Sequence, residues 1–262
     1  MTPRLPLVVL CLFVAATAAA QDRPFLFSVS TPTESSTSTF RLEYDVGAGE
    51  QMFQSATTNQ PEQRVAAQAS WRRVTVIGRF GVVAVSDAPN RSTQSGEMLV
   101  SLLDQRQTGI SMAAGGGVQR EPDGVTVLLA RLTAAHDAAT WRLHGNVLFQ
   151  KPLDPTRDTL DLAFTSGWCY RVTSGVSVGV EEVAEDLEGF WDPREAEGGA
   201  RILVGPSFHL APHGRAWQFT ATGGPSFHPV STARTSDAVR DLPPVSGRVG
   251  YAVRAGLTYR VF

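Results

Sequence analysis

Apolar residues recur at every second position along most of this chain, and that period of two limits the fold more than any other feature. Alternate residues of an extended strand point to opposite faces, so each such segment has one apolar face and one mixed face. No window of a dozen residues keeps the three- and four-residue spacing of a helix without a glycine or β-branched interruption. Four of the apolar sets are Phe40, Leu42, Tyr44, Val46; Val65, Ala67, Ala69, Trp71; Val74, Val76, Gly78, Phe80, Val82, Ala84; and Met98, Val100, Leu102. Ile110, Met112, Ala114 and Val125, Val127, Leu129 are shorter, and Trp141, Leu143, Gly145, Val147, Phe149 follow. Then come Leu160 to Tyr170, Val176 to Val180, Ile202 to Leu210, Trp217 to Ala221 and Val249 to Val261, making twelve expected strands.

The joins between these strands sort into two kinds that alternate. Short ones fall near Arg72 to Arg73, Gln105 to Thr108, Ala134 to Ala139, Arg171 to Ser174 and Ala211 to Arg215. Long ones are expected at Gly47 to Arg64, Ser86 to Gly96, Val118 to Gly124, Lys151 to Asp158, Glu185 to Gly199 and Pro229 to Gly247. Five short and six long joins imply an even number of antiparallel strands whose first and last members begin and end on the same side. Pro206 and Pro225 lie inside expected strands, where proline cannot donate to a ladder, so the reading requires bulges there.

The first twenty residues have a separate logic. Arg4 precedes an apolar run from Leu5 to Val14 and a small-residue stretch from Ala15 to Ala20. That order describes a secretory signal peptide, with cleavage expected after Ala20. The run weakens into alanine and threonine before reaching the roughly 20 apolar residues that a spanning helix needs. The chain divides accordingly into a signal peptide at 1–20, a periplasmic lead-in at 21–39 and a barrel at 40–262. Phe25 to Val29 within the lead-in is the one stretch that reads as an additional strand.

Composition narrows the options further. With 23 basic and 25 acidic residues, the chain has no charge excess that would attract nucleic acid. Of its two cysteines, Cys11 belongs to the leader and Cys169 stands alone, so no internal disulfide is expected in the exported chain. An exported chain with no helical span has one main route into a membrane, a closed barrel that leaves no unpaired edge.

The chain ends on Phe262 after aromatic and β-branched residues. Here it resembles the bacterial outer-membrane β-barrel class, and porin-like barrels within it, whose last strand commonly ends in phenylalanine and is read by the insertion machinery. The resemblance covers the mature chain in pattern and the last strand in motif. It implies an all-β, antiparallel, up-and-down transmembrane barrel of about twelve strands, export to the outer membrane, contact with outer-membrane lipid, and recognition of the Phe262 strand by that machinery. One departure is visible: Tyr259 and Val261 share the apolar face, while strict alternation puts Phe262 on the other.

If the apolar sets face lipid, their neighbours line the lumen. The expected lumen-lining residues are Arg41, Glu43, Asp45, Arg79, Arg142, His144, Asp161, Arg201 and Arg254, with Gln68, Asn146, Glu181, His209, Gln218 and Arg260 on the same face. Arginine at the bilayer midplane costs about 2–4 kcal/mol, which drives these groups inward. Closure brings the Arg41, Glu43, Asp45 row beside Arg254 and Arg260, where opposite charges would fix the register. Such a lumen either is filled by structural ion pairs or forms a charged constriction.

No catalytic, cofactor or metal set emerges. Gly-Pro-Ser-Phe-His occurs at both Gly205 to His209 and Gly224 to His228, but its histidines are expected at opposite heights of neighbouring strands. His144 and Asn146 sit two apart on the lumen face, and outer-membrane phospholipases use histidine with serine and asparagine on strands. Asn146 occupies the place of the serine they need, and a histidine without a nucleophile has nothing to activate. The run Gly115 to Gly117 lacks a phosphate loop's strand-to-helix setting and reads as a bend. The acidic stretch Glu181 to Glu197 shows no calcium-ligand spacing and reads as a solvated loop. The leading expectation is therefore a non-enzymatic narrow pore or structural barrel. A secreted or periplasmic lipocalin-like β-barrel or sandwich binding protein and an outer-membrane lipid-modifying enzyme are the alternatives. The first of these would turn Trp141, Phe149, Phe164, Trp168, Phe208 and Trp217 inward.

Overall fold

The computed structural model describes residues 23–49, 61–83, 90–121, 124–154, 160–192, 199–230 and 249–262. The expected signal peptide at 1–20 lies outside them. The strands are β1 (Thr39–Gly49), β2 (Glu62–Trp71), β3 (Val74–Val83), β4 (Arg91–Leu103), β5 (Ser111–Arg120), β6 (Thr126–Asp137), β7 (Trp141–Pro152), β8 (Asp161–Arg171), β9 (Val176–Glu185), β10 (Arg201–Leu210), β11 (Trp217–Phe227) and β12 (Val249–Arg260). Each pairs antiparallel with its sequence neighbours, and β1 pairs with β12 to close the barrel.

The alternation in the sequence becomes an alternation between outside and inside. Leu42, Tyr44 and Val46 of β1 are exposed on the outer surface, whereas Arg41, Glu43 and Asp45 between them are buried. Trp168, Tyr170, Val178, Val180, Phe208, Trp217, Tyr251 and Tyr259 extend the apolar outer belt around the barrel. An apolar exterior around a polar interior is the reverse of a soluble ligand-binding barrel, so the lipocalin-like alternative is not favoured.

Strand β6 corrects one expectation of facing. Val127 and Leu129, expected outside, are 0% and 6% exposed, while Leu128 and Leu132 are 43% and 37% exposed. The strand runs on to Asp137 and carries Arg131, whose charge must point inward. That single charge outweighs the nearly symmetrical apolar residues before it and sets the phase. The joins at Ser86 to Gly96 and Val118 to Gly124 are also shorter than expected, because β4 begins at Arg91 and β5 reaches Arg120.

The two prolines are accommodated without bulges. Leu203 pairs with Ser226 and Ser207 with Thr222, so the β10–β11 register is the same on both sides of a gap in the ladder. In that register Pro206 lies opposite Gly223 and Pro225 opposite Val204, and each proline removes a donor from this gap. The glycines let the backbones close over it: a Cβ on Gly224 would lie 2.7 Å from the Gly205 Cα. The doubled Gly-Pro therefore faces itself across one seam. His209 pairs opposite Thr220 near one end, whereas His228 follows Phe227, which is opposite Ile202. At about 3.3 Å per residue the two histidines are separated by roughly 25 Å, too far to share an ion.

The last strand resolves the Phe262 mismatch through a bulge. The Val261 N–H donates to the Phe40 carbonyl at 2.8 Å, while the Phe40 N–H donates to the Phe262 carbonyl at 3.0 Å. Phe40 thus opposes two residues, and the extra residue returns Phe262 to the outer surface, where it stacks on Phe40 at 6.0 Å.

Gly115 to Gly117 form part of β5 itself, where the strand presses against β4 so closely that a Cβ at Gly117 would overlap the Gly96 carbonyl and lie 2.8 Å from the Glu97 Cα. Replacing Gly117 with valine should cost about 1–3 kcal/mol through overpacking. The expected readout is a lower urea midpoint for loss of the heat-modifiable folded band in detergent. An unchanged midpoint would mean that the two strands separate without strain.

Candidate functional site in the barrel lumen

The inward residues form ion pairs that cross strand boundaries. At the seam, Arg254 of β12 contacts Asp45 of β1 at 2.6 Å and also pairs with Glu62 of β2. Arg64 holds the other Asp45 oxygen at 3.0 Å, and Arg41 contacts Glu43 at 2.9 Å. On the wall formed by β3 to β6, Glu97 of β4 is clasped by Arg131 of β6 at 2.6 Å and by Arg79 of β3. Arg142 and His144 of β7 face Asp137, with His144 Nε2 at 2.8 Å. Near the long-loop mouth, Arg201 contacts Asp186 at 2.9 Å and Glu185 at 3.3 Å, and Asp161 is buried close by.

All nine residues expected from the sequence to line the lumen therefore lie on the inner face. Glu97, Arg131, Glu62, Arg64 and Asp137 join them and were not anticipated. Glu97 precedes the first apolar residue by which β4 was recognised, and Arg131 lies beyond the segment assigned to β6.

A larger departure concerns the stretch expected as a periplasmic lead-in. Residues 23–32 are buried within the barrel, neither beneath it nor added to its wall. The segment bends at 26–28, so that Phe27 and Val29, two residues apart, reach opposite walls: Phe27 packs with Val183, Leu203 and Ala252, whereas Val29 packs with Ile77, Leu99 and Ala113. Two inward glycines make room for the residues before them. A Cβ on Gly167 of β8 would run into the Phe25 ring, and one on Gly256 of β12 would lie 2.7 Å from Leu26 Cδ2.

Polar wall groups satisfy the segment's main chain, which has no ladder partner of its own. The Glu181 carboxylate accepts from the N–H groups of Leu26 at 3.2 Å, Phe27 at 2.5 Å and Ser28 at 3.3 Å. Asn146 accepts from the Val29 N–H at 2.6 Å and donates to the Val29 carbonyl at 3.2 Å. Gln68 and Arg41 donate to the Ser30 carbonyl at 2.8 and 3.0 Å. Gln218 accepts from the Arg23 N–H at 2.9 Å, Thr220 donates to the Arg23 carbonyl at 2.9 Å, and the Arg23 guanidinium pairs with Glu43.

The segment is anchored at the short-turn end. Asp104, in the turn between β4 and β5, accepts from the Ser35 N–H at 2.9 Å and its hydroxyl at 2.8 Å, while Glu34 pairs with Arg106 at 2.5 Å. These hydrogen bonds hold the Asp104 carboxyl below the usual carboxylate range.

The fold also supplies a serine that sequence spacing could not. Ser30 Oγ lies 3.4 Å from His144 Nδ1, and His144 Nε2 lies 2.8 Å from Asp137. The arrangement has a triad's composition but is enclosed: Ser30 is 1% exposed, and the Phe25 ring packs edge-on against His144 at 5.2 Å. Among the described residues no group of three or more histidine, cysteine or acidic side chains is placed to hold a metal ion.

No protein-family model matches the chain, and no curated protein matches its sequence. The fold is that of a bacterial outer-membrane β-barrel. A NanC porin structure superposes with a TM-score of 0.53 at 10% identity, covering 83% of this chain and 98% of that one. OmpT of Vibrio cholerae gives a TM-score of 0.44 at 10% identity over 89% and 99% of the two chains. A CymD monoaromatic hydrocarbon channel gives 0.32 at 9% identity over 85% and 87%. The apolar outer belt is the surface that such a barrel turns to lipid.

Two predictions follow from the charges. Arg254→Leu leaves Glu62 without its guanidinium and removes one of Asp45's two partners, so it should cost about 3–5 kcal/mol as a broken buried pair. Urea titration of the folded band would measure this, and a loss below 1 kcal/mol would show the seam to be held by backbone pairing alone.

The second concerns the turn Leu187–Phe190 at the long-loop mouth, where burial, reinforced by Asp186 and Asp161, pushes the Glu188 carboxyl up to about 8. A carboxyl raised in the folded state stabilises the turn fully below its ordinary unfolded value, and that contribution is lost as pH rises through about 8. Amide exchange at 187–190 should accelerate between pH 7 and 9 in the parent beyond the intrinsic rate, and much less in Glu188→Gln. Equal acceleration in both would remove Glu188 as the cause.

Proposed function

We propose that the protein is a narrow outer-membrane channel for small polar solutes, held closed by its own N-terminal segment in the conformation described. One observation carries this reading: the inner wall is built of charged and hydrogen-bonding side chains, yet the space they enclose is occupied by a single bent segment of main chain joined to the wall mainly by polar contacts. A lumen filled only by its own wall side chains would serve a structural barrel equally well. A lumen that needs a separate segment to fill it has room for something else when that segment leaves.

Ser30, His144 and Asp137 support closure rather than catalysis. The serine belongs to the segment that fills the lumen, its oxygen is covered, and Phe25 packs against the histidine beside it. The lipid-modifying alternative requires a nucleophile open to a lipid ester, and this serine faces away from lipid. For biogenesis, the last strand ending in Phe262, stacked on Phe40 at the rim, is the element proposed to meet the insertion machinery, with outer-membrane lipid around the belt.

Planar-bilayer recording tests the channel. The full chain should show small, infrequent conductance steps, and a variant lacking residues 23–31 should conduct several-fold more. Glu43→Gln in that variant should reduce its preference for cations, because the carboxylate then faces an open path. If the deletion variant folds, as judged by heat modifiability, and still does not conduct, the barrel is a structural component.

A further inference from the structure

The contacts that fill the lumen have an unusual bias: most of the polar ones address the segment's main chain. Glu181 takes three consecutive N–H groups, Asn146 takes both the N–H and the carbonyl of Val29, Gln68 and Arg41 converge on one carbonyl, and Gln218 and Thr220 hold the N–H and carbonyl of Arg23. Asn146 in particular reproduces with one side chain the paired donor and acceptor that a neighbouring strand would offer. These groups come from β1, β2, β7, β9 and β11, so the site is built around the lumen and is not the edge of any one element. Recognition of this kind reads a bent backbone, since one carboxylate can accept from three consecutive N–H groups only where the chain turns, and it is largely indifferent to which side chains the backbone bears. The side-chain pockets are few and of modest selectivity: apolar hollows for Phe27 and Val29, glycine-lined recesses for Phe25 and Leu26, and a carboxylate for a leading cation.

We propose that the lumen is a binding site for peptides that can bend as residues 26–28 do, and that residues 23–31 are its intramolecular occupant. The ligand class is a linear peptide of about nine residues with apolar side chains at its centre and a basic residue near its start. This deepens the channel reading, since it names the solute the open lumen would take.

The test uses a variant lacking residues 23–31, purified in detergent and shown to be folded by heat modifiability. The probe is a fluorescent peptide of sequence Arg-Pro-Phe-Leu-Phe-Ser-Val-Ser-Thr. Saturable binding is expected to the deletion variant, with at least tenfold weaker binding to the full chain, whose lumen is already filled. A peptide N-methylated at the positions of Phe27 and Val29 should bind at least tenfold more weakly, because it keeps every side chain but loses the donors that Glu181 and Asn146 accept. Asn146→Ala in the deletion variant should weaken binding of the unmodified peptide by a similar factor. A linear oligosaccharide of similar length should not compete.

If the deletion prevents folding, a protease site at 36–38 lets the full chain fold first and frees the segment after cutting, and binding is then measured on the cut, washed protein. Absence of peptide binding by the folded, emptied barrel overturns the proposal, as does equal binding of the N-methylated peptide. Bilayer conductance separates the two readings: an emptied barrel that conducts but binds no peptide keeps the channel and loses the peptide site. One that binds peptide without conducting keeps the site and loses the channel.

Discussion

A charged group on a transmembrane strand cannot face lipid, and the architecture of this barrel follows from where its charges go. Each strand fixes its rotation by the residue that is most expensive to expose, and the apolar residues follow. Strand β6 shows the ranking clearly: five aliphatic side chains at Val127 to Leu132 are nearly symmetrical between faces, and Arg131 settles the matter. Once turned inward and buried, the charges need partners, because an unpaired buried charge is costly. The partners come from other strands, so Arg254 joins β12 to both β1 and β2, and Glu97 draws together β3, β4 and β6. Lipid exclusion on the outside thus sets the ion pairing on the inside.

The same constraint explains the treatment of irregular residues. A closed sheet has no edge where a missing donor is harmless, yet Pro206 and Pro225 sit within it. Placing them across the same seam confines the lost hydrogen bonds to one short gap, and the facing glycines bring the strands close enough to hold register beyond it. At the other seam Phe262 gains its outer position through one extra residue opposite Phe40. Both devices keep the barrel closed while departing from regular alternation.

The wall was largely legible in the sequence because its determinants are local. Period-two alternation marks each strand, and loop length marks which end a join belongs to. Failures occurred where the pattern is degenerate, as at β6, or where a strand extends past its apolar residues into polar ones, as at β4 before Met98. The interior filling was not legible. Phe25 to Val29 reads as part of a lead-in, with an additional strand as the other reading, and nothing nearby in the chain indicates that its partners are Asn146 and Glu181, more than a hundred residues away. The inward glycines Gly167 and Gly256 are the only trace, since a wall position without a side chain implies that something else occupies the space. Ser30 came beside His144 for the same reason, through a tertiary contact with no sequence spacing behind it.

The segment inside the barrel is joined to β1 at the short-turn end and tied to the turn at Asp104, which makes the lumen directional. Its tether lets it withdraw toward that side only. A molecule entering from the long-loop mouth would meet the bend near Phe27, whose neighbours Val183, Leu203 and Ala252 lie toward that end, and displace the segment along the path its tether allows. A molecule arriving from the opposite side would meet the anchored residues first and press the segment further in. On the channel reading proposed above, this one tethered segment would make displacement easier from one mouth than from the other.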